Sequence, residues 1–254
     1  MHIVRPSHFV AVDNELLQQP ISFSLAERRL LAMALSSIKQ GYNKYPSKEI
    51  QERFTAEQLK EMYWKHLVGD VVTKEDTFTI SVTNYAELFG LTSSNARVEL
   101  QAAIMRLMDR KIKVETSKKL GFFQWVSCAV FDKEDGTASL RFSEEVLPYL
   151  HSLQKHFTKI RLDKVIALQS IYSWRLYELY KMKLGSNKYK EVEFDLQELY
   201  KLMDVPESRR EYFKFNERIL KPVLKELEEK NVVSLKVREV KAGRKVTGLV
   251  FETM

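Results

Sequence analysis

A single cysteine, Cys128, stands in this chain. No disulfide can close within it, and no cysteine zinc cluster can assemble. Set in the apolar stretch "WVSCAVF", Cys128 reads as a buried strand thiol. Long apolar runs are missing too. No window approaches the ~20 apolar residues of a spanning helix, and the start carries no signal-like run, so the expectation is a soluble, cytoplasmic protein without membrane contact. Phosphate-cradling glycines are absent, because "AGRKVTG" lacks the P-loop spacing and signals no nucleotide site. With five histidines, and His151 and His156 five residues apart, no metal pair is apparent. Tyr172, Trp174, Tyr177 and Tyr180 share a helix with Leu168, Ile171, Leu176 and Leu179, a stripe that reads as core rather than as a nucleophile cluster. No catalytic constellation, metal or cofactor is expected, and no enzyme activity.

Apolar side chains and charge are plentiful. Hydrophobic residues make up 44% and charged residues 30% of the 254, enough for a sizeable core in one large or two small domains. The formal net charge of +7 favours an acidic partner, nucleic acid or an anionic surface. Its placement is uneven. Residues 1–150 hold 19 Lys and Arg against 19 Asp and Glu, whereas 151–254 hold 22 against 15, so the whole excess lies in the second part.

A weak internal repeat organises the chain. "ISVTNYAELFGL" (80–91) and "FDLQELYKLMDV" (194–205) share their apolar pattern at an offset of 114, pairing Ile80 with Phe194, Tyr85 with Leu199 and Leu91 with Val205. Six further residues then shift the offset to 120, so that Leu100 matches Leu220, Ile104 matches Leu224 and Ile112 matches Val232. Upstream, 24–38 and 166–183 both read as long amphipathic helices. Each half runs helix, short strand, helix, turn, helix, β-hairpin, the order of a winged helix. The expected class is α+β, two tandem winged-helix domains related by internal duplication, at 1–149 and 150–254. Turns at 132–137 and 241–245 read as hairpins. The extra segment 41–76, with "EIQERFTAEQLKEMYWKHL" helical within it, falls outside the repeat, and "SEEVLPYLHSL" (143–153) reads as a joining helix.

A helix-turn-helix places its second helix in the major groove, polar side outward. On a helical wheel of 209–229, Lys214, Arg218, Lys221 and Lys225 fall within about 80° of Arg210, while Phe215, Ile219, Leu220, Val223, Leu224 and Leu227 gather on the other side. Glu211, Glu217 and Glu226 stay off the basic arc. A solvated face is the plainer account of such a pattern, but ordinary surfaces mix signs more. Arg209 and Asn216 complete the candidate contacts on this segment. Pro222 would kink the helix or start it anew near Lys221. Behind it, Val233, Leu235 and Val237 alternate with Ser234, Lys236 and Arg238, a half-exposed strand. Lys241, Arg244 and Lys245 sit at the hairpin tip, where phosphate contacts or mere solubility would suit them.

The first-half helix differs. Asn95, Glu99, Ala102, Ala103, Arg106 and Arg110 share its expected outer face, with Ser93, Ser94 and Arg97 at its start. Asn and Arg can read A or G, and Ala can touch a thymine methyl; a plain solvent face would look the same. Most DNA affinity is therefore assigned to 151–254. The apolar run "FFQWVSCAVF" (122–131) suggests a strand buried on both faces, or an edge that pairs with a second chain.

Several stretches resemble one known family: "ISFSLAERRLL", "NYAELFGLTSSNA", "LQKHFTKIRLDKVIALQSIYSWRLYELY", "ERILKPVLKELEEK" and "KAGRKVTGLVFE". Together they span about 21 to 252. In these the chain is similar to the iteron-binding plasmid replication initiators of the Rep_3 superfamily. The resemblance implies two winged-helix domains. It implies monomers that bind repeated iterons of double-stranded DNA at an origin, opening the duplex with host replication factors and chaperones. It also implies a homodimer that binds an operator inverted repeat and represses its own gene, with plasmid copy number under control. The family's recognition helices fall on 209–225 and 93–110, and "KFNER" retains Arg218. A dedicated winged-helix transcriptional repressor is the alternative.

Overall fold

The computed structural model describes residues 9–14, 23–37, 77–115, 120–146, 157–185 and 191–254. The expected helix within 41–76, most of the expected joining helix 143–153, and His151 and His156 lie outside the described residues. The chain divides into two compact units, one of Met1–Arg5 with Ala26–Lys155 and one of Pro6–Leu25 with His156–Met254. Pro6–Leu25, within the 1–149 expected as the first domain, thus groups with the second unit. Strand β1 (Phe9–Asp13) pairs antiparallel with β7 (Phe157–Arg161), placing Val10 opposite Ile160. Both side chains are buried. An apolar strand with unpaired backbone groups needs such a partner, and the ladder supplies it.

The first unit is built from α1 (Leu25–Ser37), β2 (Thr77–Ser81), α2 (Val82–Phe89), α3 (Ser93–Asp109), β3 (Lys111–Glu115), β4 (Leu120–Gln124), β5 (Val126–Asp132) and β6 (Thr137–Phe142). Local chemistry sets the boundaries. Ser81 ends β2 and caps α2, its side chain accepting from Asn84 N. Gly90 closes α2 with a φ of 64°, and Leu91 N bonds back to Ala86 O at 2.9 Å, the closure that a left-handed residue permits. Thr92 accepts from Asn95 N at 3.3 Å and starts α3. Leu30, Met33, Ile80, Tyr85, Leu100 and Ile104 fill the core.

The second unit repeats this plan. After β7 come a single turn, α4 (Leu162–Val165), then α5 (Ile171–Leu184), β8 (Glu191–Asp195) and α6 (Leu196–Leu202). The helix expected over 166–183 thus begins five residues later, because Ser170 caps it, accepting from Tyr172 N and Ser173 N. A 3-10 turn, Glu207–Arg209, precedes one continuous helix in three windings: α7 (Tyr212–Phe215), a π turn (Asn216–Leu220) and α8 (Lys221–Glu229). Strands β9 (Leu235–Ala242) and β10 (Lys245–Thr253) close the unit. Its core is aromatic, with Phe194 and Phe251 edge to face at 5.8 Å between ring centroids and Tyr200 against Phe215 at 4.9 Å.

The sheets share a topology. In one unit the order is β2-β6-β5, in the other β8-β10-β9: first strand, last strand, middle strand. The expected duplication of elements is therefore present. The hairpin expected at 132–137 is the turn between β5 and β6, the wing of this unit, while β3 and β4 pair in a separate hairpin. The run 122–131 is not one strand. Trp125 interrupts it, its ring buried and its backbone pinned to Arg110 O and Ser143 N. Strand β5 pairs only with β6 among the described residues, so it is an edge, and Cys128 on it is exposed rather than buried. No described helix is long and apolar enough to cross a membrane.

Candidate nucleic-acid interface

The helix that starts at Tyr212 presents one polar face, and its neighbouring wing strand is tied to it. Tyr212 Oη donates to Glu239 Oε1 at 2.7 Å, and Lys241 Nζ lies 2.8 Å from Glu239 Oε2. Burial, then this hydrogen bond, pushes the Tyr212 hydroxyl above its ordinary range. Lys241, then Tyr212, holds the Glu239 carboxyl below its own. Helix start and wing strand are thereby held together. Arg218, Lys236, Arg238, Arg244 and Lys245 are exposed, and their side chains carry no ion pair or hydrogen bond among the described residues.

The helix face itself is less basic than its sequence suggested. Lys214 pairs with Glu211 at 2.7 Å, Lys221 with Glu217, and Lys225 with Glu229 at 3.6 Å. Four cations against three carboxylates leave one net positive charge. The clean separation of signs expected on the wheel is thus corrected: residues three and four apart are neighbours on a helix surface, and the glutamates lie within reach. Such exposed pairs are worth a few tenths of a kcal/mol each, so a phosphate can displace them. Arg218 alone needs no such exchange.

Arg209 and Arg210 stand before the helix rather than in it. Arg210 Nε donates to Val205 O at 2.8 Å and braces the turn, while Arg209 is half-buried in the 3-10 turn. Asn216 is half-buried in the π turn. Pro222 is the second residue of α8, which begins at Lys221 as its sequence position suggested, directly on the end of the π turn. It lacks an N–H and would crowd the carbonyl four residues back in a regular helix. The chain winds wider just before it, Lys221 N bonding to Asn216 O five residues back, and stays helical through Leu220 and Lys221. Glu226 lies off the groove-facing side as expected: its carboxylate accepts from Gln169 N at 2.6 Å and from Ser173 Oγ, capping α5.

On α3 the expected outer face is corrected. Ala103 is buried, and Glu99 accepts from Arg29 Nη1 at 2.8 Å and from Tyr85 Oη at 2.7 Å. Arg110, expected on the outer face, is engaged within the fold. Its guanidinium clamps Glu27, a carboxylate with no solvent exposure, with Nη2 at 3.1 Å from Glu27 Oε2. A buried carboxylate must be paired, and Arg110 is the cation that the fold places there. Ser93, Ser94, Asn95, Arg97 and Arg106 are exposed as expected. Beside them the structure exposes three residues that the sequence reading missed: Gln101, Val98 at 66% and Met105 at 53%. A wheel phased on Leu100, Ile104 and Leu107 as the buried side would have found them. Of the residues named on this face, only Arg97 and Arg106 are charged, both positively.

Comparison with known proteins gives a consistent picture. The family model "Initiator Replication protein, WH1" matches residues 65–181, and "Initiator Rep protein, WH2" matches 195–253. A replication initiation protein of Escherichia coli is 32% identical over 183 residues, 70% of this chain and 56% of the relative. The chain thus spans just over half the length of that relative. The crystal structure of the Pi initiator protein in complex with iteron DNA superposes with a TM-score of 0.72 at 21% identity, over 98% of both chains. That likeness establishes the two-winged-helix fold.

Proposed function

Because this chain belongs to the initiator replication protein family, matched in both of its winged-helix modules, we propose that it is a replication initiator that binds double-stranded DNA at repeated iterons of a plasmid origin. The observation that carries the reading is the set of exposed, unpaired cations that Arg218 forms with Lys236, Arg238, Arg244 and Lys245 across helix and wing. In this reading, the helix over Tyr212–Glu229 enters the major groove, with Arg218 and Asn216 at base edges. The wing cations and the three paired lysines hold phosphates. The fold shared with Pi initiator bound to iteron DNA supports this placement. Ser93, Ser94, Asn95, Arg97 and Arg106 add a weaker contact from the first unit.

The first unit also supplies the homodimer. Its support is the edge strand β5, on which Ser127 and Cys128 are exposed and Val130 is 60% exposed, since an apolar edge invites a second strand. Monomers take the direct repeats, with host replication factors and chaperones assisting. Dimers take an operator inverted repeat and repress the chain's own gene. The role needs no bond-breaking step by the protein itself.

Footprinting of the chain on its origin tests the reading. Protection of tandem direct repeats about two helical turns apart supports initiation. Protection of a lone inverted repeat alone would indicate a dedicated repressor, and nicking of supercoiled origin DNA would indicate a strand-transfer enzyme. Ser127→Arg tests the dimer, with sedimentation expected to shift toward monomer at unchanged circular dichroism. A folded variant that still sediments as a dimer rules out this edge.

A further inference from the structure

The exposed row on the second winged helix contains one residue that charge does not explain. Phe213 is 69% exposed, the most exposed aromatic side chain among the described residues with a large apolar surface. Leaving a phenyl ring in water forgoes the stabilisation that burial would bring, and nothing in the fold demands it at this position. The geometry is set by its neighbours. Phe215, two residues on, is fully buried against Tyr200. At 3.6 residues per turn, a side chain two positions earlier points to the opposite side of the helix. Tyr212, one residue earlier, is turned to the wing by its bond to Glu239. Phe213 therefore projects outward from the first turn of the helix, the end from which groove-reading helices contact bases.

Resting on the DNA-binding role above, we propose that Phe213 reads thymine through its 5-methyl group and is a specificity-determining residue of the second unit. The chemistry of the groove selects this target. Major-groove base edges present hydrogen-bond donors and acceptors, and the thymine methyl is the one apolar group among them. A phenyl ring over any other edge would cover polar atoms without bonding them, which is unfavourable. Over a methyl it removes apolar surface from water on both sides. The cations Lys214 and Arg218 of the same helix hold the backbone close, so the ring needs no affinity of its own to reach the base. Readout by Phe213 is thus of the presence of a methyl group, complementary to the polar readout by Arg218.

The experiment removes only that group. Random duplexes are selected on the full chain, and the enriched duplex is resynthesised with each thymine in turn replaced by deoxyuridine. Affinities are measured by fluorescence anisotropy for the unchanged chain, Phe213→Ala and Phe213→Leu, with circular dichroism to confirm a common fold. For the unchanged chain, one or two positions should weaken about fourfold on loss of the methyl, the worth of one buried methyl group. In Phe213→Ala thymine and deoxyuridine should bind equally at those positions, and Phe213→Leu should retain part of the difference. An unchanged deoxyuridine map in Phe213→Ala, or no sensitivity in the unchanged chain, overturns this inference while leaving the DNA-binding role intact. A selection that enriches no sequence overturns that role and this inference with it.

Discussion

The two winged-helix units differ where they face solvent and agree where they face themselves. Each buries an arginine as the fifth residue of the long helix that precedes its sheet, Arg29 on α1 at 3% exposure and Arg175 on α5 at 4%. Both reach the end of the following helix. Arg29 lies over the ring of Phe89, the last residue of α2, at 4.9 Å. Arg175 Nε donates to the carbonyl of Leu202, the last residue of α6, at 2.7 Å. The turns that follow close alike. Leu91 N bonds to Ala86 O and Val205 N to Tyr200 O, both at 2.9 Å, around left-handed residues Gly90 and Asp204. The exposed faces have diverged. The second unit shows unpaired cations on helix and wing, while α3 shows Ser94, Arg97, Val98, Gln101 and Met105. One scaffold carries two different surfaces, because backbone closure tolerates few residue types and a solvated face tolerates nearly any.

Salt dependence should separate the two units most widely. Replacing Lys236, Arg238, Arg244 and Lys245 together by glutamine should lower the slope of log affinity against log salt by about one for each phosphate no longer neutralised. The same treatment of Arg97 and Arg106 should change it far less. Equal slopes from the two sets, measured by anisotropy on random duplex, would erase the assigned difference between units. Arg110→Ala separates a structural arginine from a DNA-binding one. It leaves the buried Glu27 without this partner and should destabilise the first unit by about 3 kcal/mol in urea unfolding. Reduced DNA affinity at unchanged stability would return Arg110 to the interface.

Arg218→Ala should cost about 1–3 kcal/mol on the selected site and reduce the ratio of specific to random binding. Arg244→Ala should weaken both alike and leave that ratio unchanged, as a phosphate contact does. Lys241→Ala should do less still, because Lys241 is already paired with Glu239. A fall in the ratio with Arg244→Ala would place the wing tip at a base. The smallest effect lies in the turns. A Cβ on Gly90 would meet nothing within 4 Å, so Gly90→Ala should cost about 1 kcal/mol from the left-handed backbone alone. Asp204→Gly should recover a fraction of that in the other unit. Thermal unfolding measures both, and equal stability of Gly90→Ala and the unchanged chain would show that the turn can relax.

Element order was legible in the sequence because it is local. Ser81, Thr92 and Asp195 each cap the helix that follows, and apolar residues at helical spacing mark each inner face. The matching offset of 114 across β2–α2 and β8–α6 follows from those signals. Gly90 announced its turn, but Asp204 did not, since aspartate adopts a left-handed backbone only where the surrounding fold holds it there. Similarly, the basic character of 151–254 follows from counting charges along the chain. Which of those cations are free does not, because a lysine and a glutamate four residues apart are neighbours only once the helix has formed. The assignment of β1 to the second unit, the clamp of Arg110 on Glu27, the exposure of Cys128 and the outward turn of Phe213 all depend on what packs against each residue from far along the chain. Capping residues, apolar spacing and charge counts are enough to specify two winged helices and a basic second unit. Which side chains are committed to the fold, and which stay exposed, is settled by folding, since burial and pairing arise between segments distant in the chain.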